Sequence, residues 1–358
     1  MSQDHGQARW QAIWQSRGGA ALALLPVAWL YGLLTHIRRW LYSKGFLTIY
    51  RMPVPVVVIG NVVVGGAGKT PTVLALVRHL KAQGWRPGVV SRGYGRQGAE
   101  PLEVLPDTPP SACGDEPALI RQQSGVPVFV ARQRAEAAQA LLVRHPEVNL
   151  LLCDDGLQHL ALGRDLAIAV FDDRGTGNGW LLPAGLLREP WPVRKGAPFA
   201  PDLVLHQSAQ TVEASPQSPT HIPAFHAQRS LAADALNALG ERRPLAALGP
   251  SMVTAVAGIA RPHVFFDMLR AAGAVPLHAI ALPDHAATDL YASLLNDHAG
   301  TLVCTEKDAV KLFELARRKG AATAARVWTA PLQLQVEPAF LAAVDKHLAT
   351  LRSDQAAN

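Results

Sequence analysis

The chain has little cysteine. Cys113, Cys153 and Cys304 are the three in 358 residues, far apart and with no C-x-x-C pair. That excludes a disulfide framework and a cysteine-built zinc site, and it fits a reducing compartment. Aromatics are scarce at 6%, and no nucleic-acid-binding signature is present, so DNA and RNA are not expected partners. Charge is sparse too, 17% against 49% hydrophobic residues, with a mean hydropathy of +0.10. The few charges are unbalanced: 34 Lys and Arg against 28 Asp and Glu leave +6, with a pI near 9.4. Such an excess favours an anionic partner, here a membrane surface. No internal repeat stands out, and the length is enough for two domains with cores of their own.

One uncharged run is long. Residues 18–37 read GGAALALLPVAWLYGLLTHI, apolar on all faces. The length sits at the threshold for a membrane span. Pro26, His36 and the small residues suit a shallow, monotopic insertion equally well, and a buried core helix is the third reading. No small-residue cleavage site comes after it, which argues against a signal peptide. Arg38, Arg39, Lys44 and Arg51 come next. A basic cluster beside an apolar helix suits anionic headgroups. Residues 1–50 are therefore expected to be a membrane-anchoring segment.

The stretch from Val56 to Thr70 organises the chain. Val56-Val-Val-Ile-Gly60 reads as a buried strand, and it runs into Asn61-Val-Val63-Val64-Gly65-Gly66-Ala67-Gly68-Lys69-Thr70 and an apolar-periodic helix. This is the P-loop layout, in which backbone N–H groups and a helix N-terminus face a polyphosphate. Residues 63–70 would cradle the phosphates of ATP, Lys69 would reach the β- and γ-phosphates, and the Thr70 hydroxyl would ligate Mg²⁺. The general motif has glycine where this chain has Val63. Further on, Val148 to Cys153 is an apolar strand ending in Asp154-Asp155. Carboxylates at that place in a P-loop protein lie beside the Mg²⁺, which prefers oxygen ligands.

Other segments are less decided by their residues alone. Arg86 to Arg96 reads as a strand emptying into a glycine-rich loop, where Arg92, Tyr94 and Arg96 fit either an anionic ligand or a structural turn. Asp115, in Gly114-Asp-Glu-Pro117, fits a helix N-cap or a catalytic carboxylate, and spacing does not separate the two. Residues 207–224 are polar and proline-containing, so a linker region is placed over 211–245. The resulting architecture is α/β: a P-loop NTPase-like, mostly parallel sheet over 51–210 and a second, smaller α/β domain over 246–358.

Two functions fit these residues: a phosphotransferase acting on a membrane-borne acceptor, and a membrane-associated ATPase switch. The switch class carries a signature lysine just before Gly-Gly-x-Gly-Lys-Thr, and Val64 holds that position here. Thr305-Glu-Lys-Asp308 superficially fits a guanine-reading motif, although so short a match has little specificity.

Taken together, the motifs resemble the tetraacyldisaccharide 4′-kinase family. They are Gly60 to Pro71, Ser91-Arg-Gly-Tyr94, Gly114-Asp-Glu-Pro117, Asp154-Asp-Gly-Leu-Gln-His159, Leu187-Arg-Glu-Pro190, Ala257-Gly-Ile259, Pro283-Asp-His285 and Thr305-Glu-Lys-Asp308. They occur in order over nearly the whole chain, and Val63 fits this family's pattern. The resemblance implies transfer of the ATP γ-phosphate to the 4′-hydroxyl of a tetraacylated glucosamine disaccharide 1-phosphate, giving lipid IVA in lipid A biosynthesis. It also implies an active site between two α/β domains, at the cytosolic face of the inner membrane. By the same resemblance Asp115 and His285 form an acid/base pair, and Thr305-Glu-Lys-Asp308 belongs to the second domain rather than reading guanine. Arg188, Glu189, Gln158, His159 and Arg92 are candidates for the sugar or its phosphate. Nothing in the pattern argues for more than a monomer.

Overall fold

Strand β1 (Val56–Gly60) is buried at all five positions, as its β-branched run requires, and it lies in the middle of a nine-stranded sheet. The structure is a computed structural model and describes residues 10, 12–66, 68–96, 98–209, 221–248, 253–274 and 277–356. The further strands of the first half are β2 (Pro87–Ser91), β3 (Leu102–Glu103), β4 (Val128–Val130), β5 (Leu150–Asp154), β6 (Leu166–Phe171), β7 (Leu203–Ser208) and β8 (Ala224–Leu231). Then come β9 (Asp234–Asn237), β10 (Arg242–Pro244), β11 (Val253–Ala257), β12 (Leu277–Ala281), β13 (Leu302–Cys304), β14 (Val327–Thr329) and β15 (Leu332–Val336). Among the described residues, the helices of ten or more residues are α1 (Leu25–Ser43), α2 (Lys69–Ala82), α3 (Asp115–Ser124), α4 (Arg134–Arg144), α5 (Pro262–Ala271), α6 (Thr288–Asp297), α7 (Glu306–Lys319) and α8 (Pro338–Ala356).

The large sheet has the order β15-β8-β7-β6-β1-β5-β2-β4-β3. From β8 to β4 the strands run parallel, and β15 and β3 are antiparallel edges. Ile59 pairs with Asp154, so the register sets the Asp-Asp strand end beside the start of the P-loop. The smaller sheet has the order β10-β9-β14-β13-β11-β12. Its last four strands are parallel; β9 joins β14 antiparallel, and β10 pairs antiparallel with β9. In α2, Val73, Leu76, Val77 and Leu80 recur at helical spacing, and all are buried against the large sheet.

Two boundaries differ from the sequence expectation. Residues 210–220, at the start of the expected linker, lie outside the described residues. Beyond them Ala224–Leu231 is not a linker but a parallel strand on β7, and Asp234–Asn237 and Arg242–Pro244 belong to the smaller sheet. The chain then returns: β15 pairs with β8, and α8 buries Phe340, Val344 and Leu348 against Leu166, Ile168 and Val170 of the large sheet. Residues 332–351 thus pack on the P-loop sheet, with the apolar stripe of α8 covering that sheet's face.

Helix α1 is not buried. Of its residues only Ala28 is buried, while Val27, Trp29, Leu30, Leu33, Leu34, Ile37 and Trp40 are exposed, Trp29 at 70%. This removes the core-helix reading. Among the described residues no helix is long and apolar enough to cross a membrane.

Candidate functional site

The carboxyl ends of the parallel strands hold the candidate residues. Leaving β1, the chain makes a loop whose carbonyls are tied from behind. Asn61 Nδ2 donates to Gly65 O at 3.0 Å, Arg174 Nη1 to Val64 O at 3.0 Å, and Gln207 Nε2 to Gly68 O at 2.9 Å. Val64 N donates to Leu186 O at 2.9 Å, so a phosphate would be met by the loop N–H groups that come after it. Gly68 caps α2 at φ 81°, and a Cβ there would stand 2.0 Å from Gln207 Oε1, so this position needs glycine. Val63 is fully buried and bridges Leu187, which explains an apolar residue where the general motif has glycine. Ala67 lies outside the described residues.

Lys69 and Thr70 open α2. Lys69 Nζ lies 3.6 Å from Asp155 Oδ1 and 3.4 Å from Asn61 Oδ1. Asp154 is fully buried; its Oδ2 accepts from Ser91 Oγ at 3.3 Å, and its Oδ1 is buried without a hydrogen-bond partner. Burial, then the neighbouring Glu116 and Asp155 carboxylates, push the Asp154 carboxyl up to about 7. An unpaired, buried carboxylate oxygen at the end of the strand that pairs with β1 suits Mg²⁺, an ion that takes oxygen ligands and keeps several waters of its own. Asp155 has φ 49°, an uncommon backbone for a non-glycine residue that turns its side chain away from the strand toward Lys69 and Arg188. Burial raises the Asp155 carboxyl, but the Lys69 and Arg188 charges outweigh it and hold it below the usual range.

The Leu-Arg-Glu-Pro loop joins this group to α1. Arg188 Nη1 donates to Asp155 Oδ1 at 3.2 Å and to Gln158 Oε1 at 3.4 Å, and Gln158 Nε2 donates to Glu189 Oε1 at 2.6 Å. From α1, Tyr31 Oη donates to Arg188 O at 2.8 Å and Arg39 pairs with Glu189. The apolar helix is therefore docked directly on the candidate substrate residues. His159 has a different position. Its Nε2 accepts from the Arg134 backbone N–H at 3.1 Å, and burial, then nearby arginines including Arg134, Arg38 and Arg92, push it down to about 3. It is a neutral, tethered imidazole. Arg92 is exposed, whereas Arg96 is spent on the carbonyls of Gly98, Val130 and Glu100 and is structural.

The two sheets meet at Asp115 and His285. Gly114 at φ 93° is the N-cap of α3, so Asp115 is the first helical residue and not the cap. A Cβ on Gly114 would press the Gly93–Tyr94 backbone at 3.0–3.2 Å, and this tight approach brings Asp115 under the 91–96 loop. His285 comes after β12 at φ 58°. Its Nδ1 is 3.2 Å from Asp115 Oδ2, and its ring packs at a tilt of 51° against Tyr94 with centroids 4.9 Å apart. Residues 170 positions apart are thus in hydrogen-bond contact across the cleft.

The family model for LpxK, tetraacyldisaccharide-1-P 4′-kinase, matches residues 20–349. The chain belongs to this family. A tetraacyldisaccharide 4′-kinase of Acidovorax sp. (strain JS42) is 52% identical over 345 residues, 96% of each chain. The protein of the same name from Polaromonas naphthalenivorans is 52% identical over 346 residues, covering 95% of this chain and 94% of that one. LpxK from Aquifex aeolicus, crystallised in complex with ATP, superposes with a TM-score of 0.74 at 29% identity, over 92% of this chain and 99% of that one.

Several groups at the site were given no role by the sequence reading, although Asn61 and Lys307 lie within quoted motifs. Asn61, Arg174 and Gln207 hold the P-loop carbonyls, and Lys307 and Lys311 of α7 reach the Asp115–His285 pair. The only signal for the lysines is Thr305-Glu-Lys-Asp308. Its Thr305 hydroxyl caps α7 on Asp308 N, and Asp308 in turn accepts from Gly258 N.

Proposed function

We propose that this protein transfers the γ-phosphoryl group of ATP to the 4′-hydroxyl of a tetraacyldisaccharide 1-phosphate, a step of lipid A biosynthesis. One observation carries the reading: a P-loop with its strand-end carboxylates on one sheet meets, across a cleft, a histidine of the other sheet paired with Asp115. Phosphoryl transfer asks mostly for positioning and charge neutralisation. Residues 63–70 cradle the phosphates, and Lys69, now paired with Asp155, compensates the charge of the transferred group. Thr70, with Asp154 and Asp155, would hold Mg²⁺, which neutralises phosphate charge when bound. The acceptor hydroxyl loses its proton to the Asp115–His285 pair as it attacks; a well-placed base contributes about 10²–10⁴-fold. Arg188, Glu189 and Gln158, bonded to one another and to Asp155, would meet the sugar and its phosphate, with Arg92 on the exposed surface. Because both halves of the site come from one chain, a monomer suffices.

The exposed apolar face of α1, flanked by Arg38 and Arg39, supports peripheral binding at the cytosolic face of the inner membrane. A lipid acceptor held in that surface would have its headgroup beside the Tyr31–Arg188 contact. The test is transfer of labelled γ-phosphate from ATP to the tetraacyldisaccharide 1-phosphate in mixed micelles, with ATP hydrolysis followed without lipid. Lipid-dependent product that disappears in Lys69→Ala supports the kinase reading. Hydrolysis with no labelled lipid would overturn it.

A further inference from the structure

Two lysines of α7 bracket the acid–base pair, and phosphate binding does not call for either. Lys311 Nζ donates to Asp115 Oδ2 at 2.9 Å, the oxygen that also faces His285 Nδ1 at 3.2 Å. A second contact, to Ala286 O at 3.0 Å, holds the ammonium in place. Lys307 Nζ lies 3.2 Å from His285 Nε2 and donates to Asp284 Oδ1 at 2.7 Å. Four residues apart, the two side chains share one helix face. An ammonium has protons to give and no lone pair to receive one. His285 Nε2 must therefore be the acceptor from Lys307, which places the ring's single hydrogen on Nδ1, pointing at Asp115 Oδ2.

We propose that Lys307 and Lys311 are positioning residues of the phosphoryl transfer: Lys307 locks His285 in the neutral Nδ1–H tautomer, and Lys311 holds Asp115 as a carboxylate. The inference rests on the reading of Asp115 and His285 as the acid–base pair. Its consequence is a definite route for the proton. The acceptor oxygen forms its bond to the γ-phosphorus and the bond from that phosphorus to the bridging oxygen of ADP breaks. The hydroxyl proton passes to the Asp115 carboxylate, because His285 Nε2 is capped and Nδ1 already carries hydrogen.

The charges around Asp115 agree. Burial raises its carboxyl, but hydrogen bonds from His285 and Lys311 and the charges of Lys311 and Lys307 outweigh that and leave it below the usual carboxylate range. On its own side it has Glu116 and the Cys113 thiol, which burial and the Asp115 charge push up to about 11, so the thiol is neutral. From the other domain come Asp284, paired with Lys307, and Tyr291, whose ring lies 5.9 Å from Lys311 Nζ and whose hydroxyl is spent on Asp308. The 91–96 loop contributes Tyr94, whose ring packs at a tilt against His285.

The experiment is the pH profile of kcat/KM for lipid phosphorylation in wild type, Lys311→Met, Lys311→Arg and Lys307→Met, with melting temperatures beside it. Removing the Lys311 cation raises the proton affinity of the pair, so the acidic limb moves to higher pH by about one unit, and Lys311→Arg restores it. In Lys307→Met the tautomer lock is lost, and the imidazole ¹⁵N shifts of His285 move toward a mixture of the two tautomers. An acidic limb unmoved in Lys311→Met, with those shifts unchanged in Lys307→Met, would reduce both lysines to structural ties and overturn the proposal. Imidazole ¹⁵N shifts of wild-type His285 need no variant: a protonated Nδ1 and bare Nε2 at neutral pH are expected, and the opposite tautomer contradicts the proposal. Full activity in Asp115→Asn would instead remove the acid–base reading itself, a separate failure.

Discussion

At the scale of single residues, the site depends on positions where ordinary side chains do not fit. Gly68 is the sharpest case, at φ 81° with Gln207 Oε1 only 2.0 Å from where a Cβ would go. Gly68→Ala is expected to cost on the order of 1–3 kcal/mol of strain and to raise the KM for ATP at least about ten-fold, read by melting and by nucleotide kinetics. Histidine burial supplies a different test. His206 is stacked between Phe171 and His226, and burial, then the His226 charge, pushes it down to about 4. Its folded value lies below the unfolded 6.5, so the unfolded chain binds the extra proton and stability falls as pH drops from about 6.5 to 4. His206→Phe should flatten that part of the stability–pH curve; an unchanged slope would contradict it. Residue identity was readable from sequence wherever a motif forces it, as in Lys69, Thr70 and the Asp154-Asp155 pair. The ties of Asn61, Arg174 and Gln207 to the P-loop carbonyls were not, because a polar side chain turned back on a loop leaves no pattern in spacing.

At the scale of elements, α1 and α8 make opposite predictions. The apolar residues of α1 are exposed, so Trp29→Glu with Leu33→Glu should leave melting and the KM for ATP unchanged while weakening sedimentation with anionic vesicles and lowering lipid phosphorylation. Unaltered vesicle binding would remove the docking role. Phe340 of α8 is fully buried against the large sheet. Phe340→Ala should therefore destabilise by about 3–5 kcal/mol, measured by denaturant unfolding. The apolar run at 18–37 announced α1, but composition alone did not say which way its face would point. Strand β8 was hidden for a related reason: Ala224–Leu231 is half-exposed along most of its length and lacks the apolar run that marks the inner strands. Its place in the sheet is decided by β7 and β15 on either side, information that only the folded chain contains.

At the scale of the whole molecule, the chain crosses between its two sheets more than once, since β8 and β15 of the large sheet flank the smaller one in sequence. That arrangement suits a cleft that closes with its halves in register, and closure of this kind is how divided sites are assembled. The pairing of Asp115 with His285 spans 170 residues and was implied by family resemblance, whereas local sequence left Asp115 as cap or catalyst. Gly114 as the N-cap removes the capping reading of Asp115.

If the two sheets share one acid–base unit, a double-mutant cycle shows it most directly. Single-turnover phosphorylation of the lipid acceptor would be measured for wild type, Asp115→Asn, His285→Ala and the double variant, with ATP affinity held as a control. Groups acting as a unit lose strongly non-additively, so the double variant should be about as slow as the worse single one. Losses that multiply, with each residue contributing alone, would contradict the account.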